Sequence, residues 1–176
     1  ALTPGDTVTV MAGTYRGERI VFAASGAEGS PITLQAEPGA NVILKGSREV
    51  PAESWERVPG NDPVFKAPWE TYFGAYHPRY LDPDKSKWPG HRGNKARNQV
   101  FVDGQILEEV PVLEWLDASR CEHFPDVAPG RFYFSKAEKT LYVRMNDGSD
   151  PSQRQVEATV QEAPIIATWG HSHLVI

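Results

Sequence analysis

The chain predicts an all-β fold: the start of a right-handed parallel β-helix, interrupted by an antiparallel β-sandwich. Three observations carry this. Thr7-Val8-Thr9-Val10, Ile20-Val21-Phe22, Ile32-Thr33-Leu34 and Val42-Ile43-Leu44 are short, mostly β-branched runs, bounded by turn chemistry such as Pro4-Gly5-Asp6, Gly26 to Gly29 and Pro38-Gly39. Strands this brief, at intervals of about ten residues, are too short for a free-standing sandwich and suit coils that stack on one another. Hairpin signals then take over, and Leu174-Val175-Ile176 resumes the first texture.

The expected organisation is residues 1–48 as the first coil or coils, 49–164 as an inserted β-sandwich, and 165–176 as the return to the helix. Coils bury their inner face only against neighbours, and about three are needed for stability. The first region holds about one and a half. The chain also begins at Ala1 without a methionine. The shortage of coils leads us to expect the opening part of a larger protein, with an open apolar edge at residues 166–176 that self-associates, unfolds or meets further coils, and the missing methionine a true N-terminus upstream of Ala1.

Pro51, Pro59, Gly60 and Pro63 mark the change of texture. Val64-Phe65-Lys66-Ala67 predicts a short strand, and Tyr72-Phe73-Gly74-Ala75-Tyr76-His77-Pro78 is aromatic and turn-rich. Residues 79–98 are polar, with no apolar period, and read as a long loop. Loops of more than about 12–15 residues in compact domains are usually functional or disordered. Gln99-Val100-Phe101-Val102, Asp103-Gly104 and Gln105-Ile106-Leu107 spell a hairpin, since Asp-Gly between apolar runs is a strong turn signal. Leu113-Glu114-Trp115-Leu116 predicts one helical turn. Arg131-Phe132-Tyr133-Phe134 and Thr140-Leu141-Tyr142-Val143-Arg144 form a second hairpin about a turn at 136–139, and residues 155–160 alternate as a further strand.

Composition narrows the partners. Apolar residues make up 40% and charged residues 23%, as in globular chains. Mean hydropathy is −0.45, and no apolar run approaches the ~20 residues of a membrane span. A net charge of −5 argues against nucleic acid, which requires a basic face. Neutral sugars tolerate that charge. A lone Cys121 forms no internal disulfide, so the compartment stays open.

Trp88, in Lys87-Trp88-Pro89-Gly90, is the leading candidate for contact with a ligand. A loop tryptophan offers a flat apolar face that matches the C–H face of a sugar, with an N–H to spare; the plainer reading folds it back on its own domain. His77 and His91 are near it in sequence and are candidates to bond hydroxyls, or are simply turn residues. Glycoside hydrolysis needs two carboxyl groups about 5–9 Å apart. Glu108 with Glu109, Glu114 with Asp117, and Asp82 with Asp84 are the nominal pairs, and a solvated surface is the reading for each. Adjacent acids on a strand point to opposite faces. His171 and His173 share a face if they lie on a strand, but no further ligands accompany them, and neither a metal nor a cofactor is expected. No catalytic dyad is legible.

Gly5-Asp6-Thr7-Val8, Gly13-Thr14-Tyr15-Arg16, Pro31-Ile32-Thr33-Leu34-Gln35-Ala36 and Val42-Ile43-Leu44-Lys45-Gly46-Ser47 look like the first coil of many carbohydrate-active β-helix proteins. With Trp55-Glu56-Arg57-Val58, Tyr72-Phe73-Gly74-Ala75-Tyr76-His77-Pro78, Trp88, Val100-Phe101-Val102-Asp103-Gly104, Thr140-Leu141-Tyr142-Val143-Arg144 and Gly148-Ser149-Asp150-Pro151, the order resembles glycoside hydrolase family 120, the β-helical β-xylosidases. The resemblance implies a helix interrupted by a sandwich after its first coil. It also implies a retaining exo-glycosidase that removes xylose from xylo-oligosaccharides. The nucleophilic aspartate and the acid/base glutamate are then expected on later coils, and Trp88 matches a tryptophan that closes the sugar pocket. His77 stands where that family has an asparagine, and the loop at 79–98 differs from it.

The expected partners are an oligosaccharide or glycoside and further β-helix coils, from the same protein or another chain, with homo-oligomerisation through the open edge as a further option. Two other classes compete: a non-catalytic carbohydrate-binding or adhesion module using Trp88 and Tyr80, and the front of a β-helix polysaccharide lyase acting on uronate.

Overall fold

A computed structural model describes residues 2–60, 63–73, 98–110, 112–117, 129–161, 165–167 and 170–176. Strand is the dominant structure, and the helical segments among the described residues are short 3-10 turns. Two compact units divide the chain: Ala1–Arg48 with Gln161–Ile176, and Glu49–Val160.

The first unit is built of parallel coils. β1 (Thr7–Val10), β2 (Gly13–Arg16) and β3 (Ile20–Phe22) make one circuit. β4 (Ile32–Ala36) and β5 (Val42–Lys45) begin the second, which β15 (Ile165–Ala167) completes, and β16 (Leu174–Val175) opens a third. Each strand pairs in parallel with its counterpart one circuit on: β1 with β4 and β4 with β16, β2 with β5, β3 with β15. The second unit therefore enters between the second and third strands of coil two, a finer position than the family resemblance implies.

Stacking puts like on like, which is how such coils form a core. Val8 registers with Leu34, Ile32 with Leu174, and Ile20 with Ile165. Phe22, Ile32 and Leu34 are buried, with Val8, Val10 and Ile20 packed beside them. Gly26 is required at the corner. A Cβ there would come within 2.7 Å of the Ile32 nitrogen and closer still to the His173 carbonyl. The Gly26 N–H donates to Ser172 O and the Ile32 N–H to His173 O, so two circuits are fastened together there. The Gln161 side-chain amide donates to the Gly17 carbonyl, tying the returning chain to the first coil.

β2 was hidden in the sequence because Gly13 reads as a turn residue; here it opens the strand. β6 (Ser47–Glu49), also unforeseen, carries no apolar side chain to announce it.

The second unit is a sandwich. One sheet runs β10-β9-β14-β6 and the other β11-β12-β13-β8-β7. The strands are β7 (Glu56–Arg57), β8 (Val64–Pro68), β9 (Val100–Val102), β10 (Gln105–Ile106), β11 (Glu108–Glu109), β12 (Gly130–Ser135), β13 (Thr140–Met145) and β14 (Val156–Thr159). Both foreseen hairpins form, β9–β10 and β12–β13. Asp103 and Gly104 take φ of 48° and 79°, the left-handed pair that a two-residue turn demands. One pairing departs from the antiparallel expectation: β11 runs parallel to β12.

Val100, Val102, Val156 and Ala158 from one sheet meet Phe132, Phe134, Leu141 and Val143 from the other in a single core. The outer face of the five-stranded sheet is covered as well, by Val110 and Leu116 packed with Tyr142. The 3-10 turn Leu113–Leu116 supplies that cover, which is why β12 and β13 bury both faces.

Candidate functional site

Trp88, His77 and His91 lie outside the described residues, as do Asp82, Asp84 and Cys121. The described chain stops at Phe73 and resumes at Asn98, on either side of that stretch. What those two residues do is well defined. The Asn98 carboxamide accepts from the Phe73 backbone N–H through Oδ1 (3.0 Å) and donates through Nδ2 to Glu109 Oε1 (2.9 Å). One buried side chain thus joins three segments: the run after β8, the entry to β9, and β11.

Glu109 corrects the surface reading given to the acidic pairs. It is 7% exposed, because strand alternation places it on the same face as Leu107, turned into the sandwich core, while Glu108 takes the opposite face. Glu108 is partly exposed and lies 4.0 Å from Arg131 Nε. The sequence held a signal in Leu107-Glu108-Glu109-Val110, where period two sets Glu109 beside a core leucine; its charge argued the other way.

Burial pushes the Glu109 carboxyl up to about 7, with the Asn98 hydrogen bond pulling more weakly in the opposite direction. Glu109 Oε2 is enclosed without a hydrogen-bond partner. Near neutrality this group is poised between acid and anion, the condition for exchanging a proton with a neighbour. The Tyr72 phenol is raised too, first by its own burial and then by Glu109. Tyr72 stacks on Phe134 with centroids 5.1 Å apart, and Lys136 Nζ sits 5.7 Å from the centre of its ring.

Beside Asn98 is a cavity of ≈ 10 Å³ lined by Trp69, Thr71, Phe132 and Thr159 among others. It has room for about one water and none for a sugar ring.

The other candidates separate. His171 and His173 precede β16 rather than sharing a strand face, and His173 forms the bend with φ 54°. His171 Nδ1 lies 3.3 Å from Ser25 Oγ, a contact between circuits. Glu114 is exposed on the 3-10 turn. Among the described residues no cluster of three metal-ligating side chains occurs, and no helix is long and apolar enough to cross a membrane.

Comparison with known proteins follows this architecture. The family model for chondroitinase B matches residues 1–54, the first coils and the first residues of the second unit. Among curated proteins no sequence matches. Two solved structures are similar. One, the complex of XylC with xylose, has a TM-score of 0.69 at 22% identity, over 99% of this chain and 29% of that one. The other, a glycoside hydrolase, has a TM-score of 0.51 at 13% identity, over 97% of this chain and 42% of that one. The chain thus spans less than half the length of either. Its fold, a parallel β-helix carrying an inserted β-sandwich, is shared over nearly the whole chain with the XylC structure.

Proposed function

We propose that this chain is the front part of a carbohydrate-active β-helix enzyme, a retaining exo-glycosidase of the β-xylosidase type. Its two reacting carboxyl groups belong to coils beyond residue 176. One attacks the anomeric carbon, and the other protonates the departing glycosidic oxygen and later activates water. The sandwich, residues 49–164, contributes sugar-binding side chains, and residues 165–176 lead back into the helix. In this reading Trp88 stacks on the sugar and His77 and His91 bond its hydroxyls.

The observation that carries the reading is the likeness to the XylC–xylose structure, which extends over 99% of the chain, insertion included. A glycosidase and a sugar-binding module both bind sugar, and turnover separates them. The full-length protein is expected to release xylose from aryl β-xylosides with the β-anomer formed first. Binding of xylo-oligosaccharides without turnover would move the assignment to a binding module. Trp88→Ala is expected to weaken sugar binding by ~1–3 kcal/mol, the scale of one aromatic contact. Unchanged affinity and turnover would remove Trp88 from the site.

The match of residues 1–54 to chondroitinase B favours a second reading, a polysaccharide lyase acting on uronate. It covers the coils and only the first residues of the sandwich unit, Glu49–Ser54, and the acidic net charge of −5 suits a neutral sugar better. An unsaturated uronate product from an acidic polysaccharide would decide for the lyase.

A further inference from the structure

Coil two is interrupted at a corner that coil one crosses in one short step. In coil one, Gly17, Glu18 and Arg19 carry the chain from the end of β2 at Arg16 to the start of β3 at Ile20. The matching ends in coil two are Lys45, which registers with Arg16, and Ile165, which registers with Ile20. Residues 46–164 lie between them in sequence, and the whole sandwich unit falls in that interval.

The two sides of the interruption meet. The Gln161 N–H donates to the Gly46 carbonyl (3.1 Å), and the Gly17 N–H donates to the Lys45 carbonyl (2.9 Å). The Gln161 side-chain amide donates to the Gly17 carbonyl, so one residue is fixed to the same corner of both coils. A Cβ on Gly46 would stand 3.2 Å from the Gln161 carbonyl oxygen, and glycine keeps that approach close. From here the chain leaves and returns as neighbouring strands: β6 lies beside β14, and the Val50 N–H donates to the Val156 carbonyl (2.8 Å). The apolar core around Ile32 and Leu34 is drawn from the first unit, and that around Val100 and Phe132 from the second.

We propose that the sandwich is a graft on a coil already closed at its base, so that one glycine in place of residues 47–160 leaves the parallel helix intact. Gly46 and Gln161 are held within the reach of a single residue, which spans up to ~3.6 Å. Gly46, the linking glycine and the run Gln161-Glu162-Ala163-Pro164 then join β5 to β15, as Gly17-Glu18-Arg19 join β2 to β3. The cost of closing a loop rises slowly with its length, so a corner longer by a few residues still closes. A unit attached in this way is exchangeable, since a domain whose own ends lie close together fits the same corner. Which sugar the protein handles does not enter.

Amide exchange in the full-length protein with residues 47–160 replaced by one glycine tests this. Gly26 and Ile32 donate to carbonyls of the following circuit, and their protection is expected to stay within ~3-fold of the parent. A second experiment starts from the folded parent, cut at protease sites engineered beside Gly46 and Gln161, with the sandwich then removed by chromatography. It decides the matter where the deletion protein does not fold. Protection at Ile32 that persists in the remaining coils supports the graft. A sandwich that does not separate after cutting, or protection at Ile32 that falls ~100-fold on its removal, overturns it.

Discussion

The two units solve the burial problem in opposite ways. Among the described residues the coil unit's core has three buried apolar side chains, Phe22, Ile32 and Leu34, whereas the main core of the sandwich has twelve. The coil sheets are two or three parallel strands wide. They leave Met11, Val21, Ile43 and Val175 exposed. The sandwich closes on itself: two sheets face each other, and a 3-10 turn covers the outer side of one. A solenoid derives its stability from neighbouring circuits and a sandwich from its own two faces. The difference teaches that the inserted unit is the self-sufficient one, while the coils are tied together chiefly by register and by corner hydrogen bonds.

Substitutions can break that contrast or sharpen it. The largest effect is expected at Phe132, 1% exposed at the centre of the sandwich. Phe132→Ala should cost about 3–5 kcal/mol in denaturant unfolding of the full-length protein, through lost burial and the cavity left behind. A loss no larger than that from truncating a coil residue such as Leu34 would erase the distinction between the units.

The next effect is one of pH. The folded-state acidity of Glu109 lies near 7, above the ordinary value near 4.5, so between those values the folded form holds more protons than the unfolded one. Its contribution is therefore fully present below about 4.5 and is lost as pH rises through about 7. Stability of the sandwich should fall by about 2–3 kcal/mol from pH 5 to 8, less if water reaches the carboxylate, and Glu109→Gln should abolish that fall. Denaturation midpoints of the two proteins at both pH values measure it.

Gly26→Ala comes third and probes the coil alone. The added methyl meets backbone from the next circuit, so a cost of about 1–3 kcal/mol is expected, with faster exchange at Ile32 and no change at Val143. Faster exchange at Val143 as well would show that the units unfold together.

The smallest effect belongs to Arg154, which bridges Asp103 (2.6 Å) and Asp147 (3.3 Å) at the surface. Arg154→Ala should cost only ~0.2–1 kcal/mol, and less in high salt.

Much of this fold was legible in the sequence. β1, β3, β4 and β5 announced themselves through β-branched runs between glycine turns, and Asp103-Gly104 specified its hairpin because few residues take positive φ without strain. Those are local signals, read within about ten residues. β2 and β6 escaped because their strand character comes from the circuit they stack on or the sheet they join. Gly13-Thr14-Tyr15-Arg16 becomes a strand by pairing with β5, and Ser47-Arg48-Glu49 by lying at the edge beside β14.

The candidate site shows the same division more sharply. Trp88, His77 and His91 could be proposed from residue type and turn-rich surroundings, which are properties of the chain. Glu109 was passed over, because a glutamate beside another glutamate reads as solvated surface even where its alternation with Leu107 points inward. The sequence by itself determined the short strands and the turns, since propensity and side-chain alternation act between near neighbours. Only the tertiary structure decided that coil two is split between its second and third strands, that β11 runs parallel to β12, and that a carboxyl group sits in the core with Asn98 as its partner. Each of these depends on which distant segment arrives alongside, and burial, unlike propensity, is a property of that arrival.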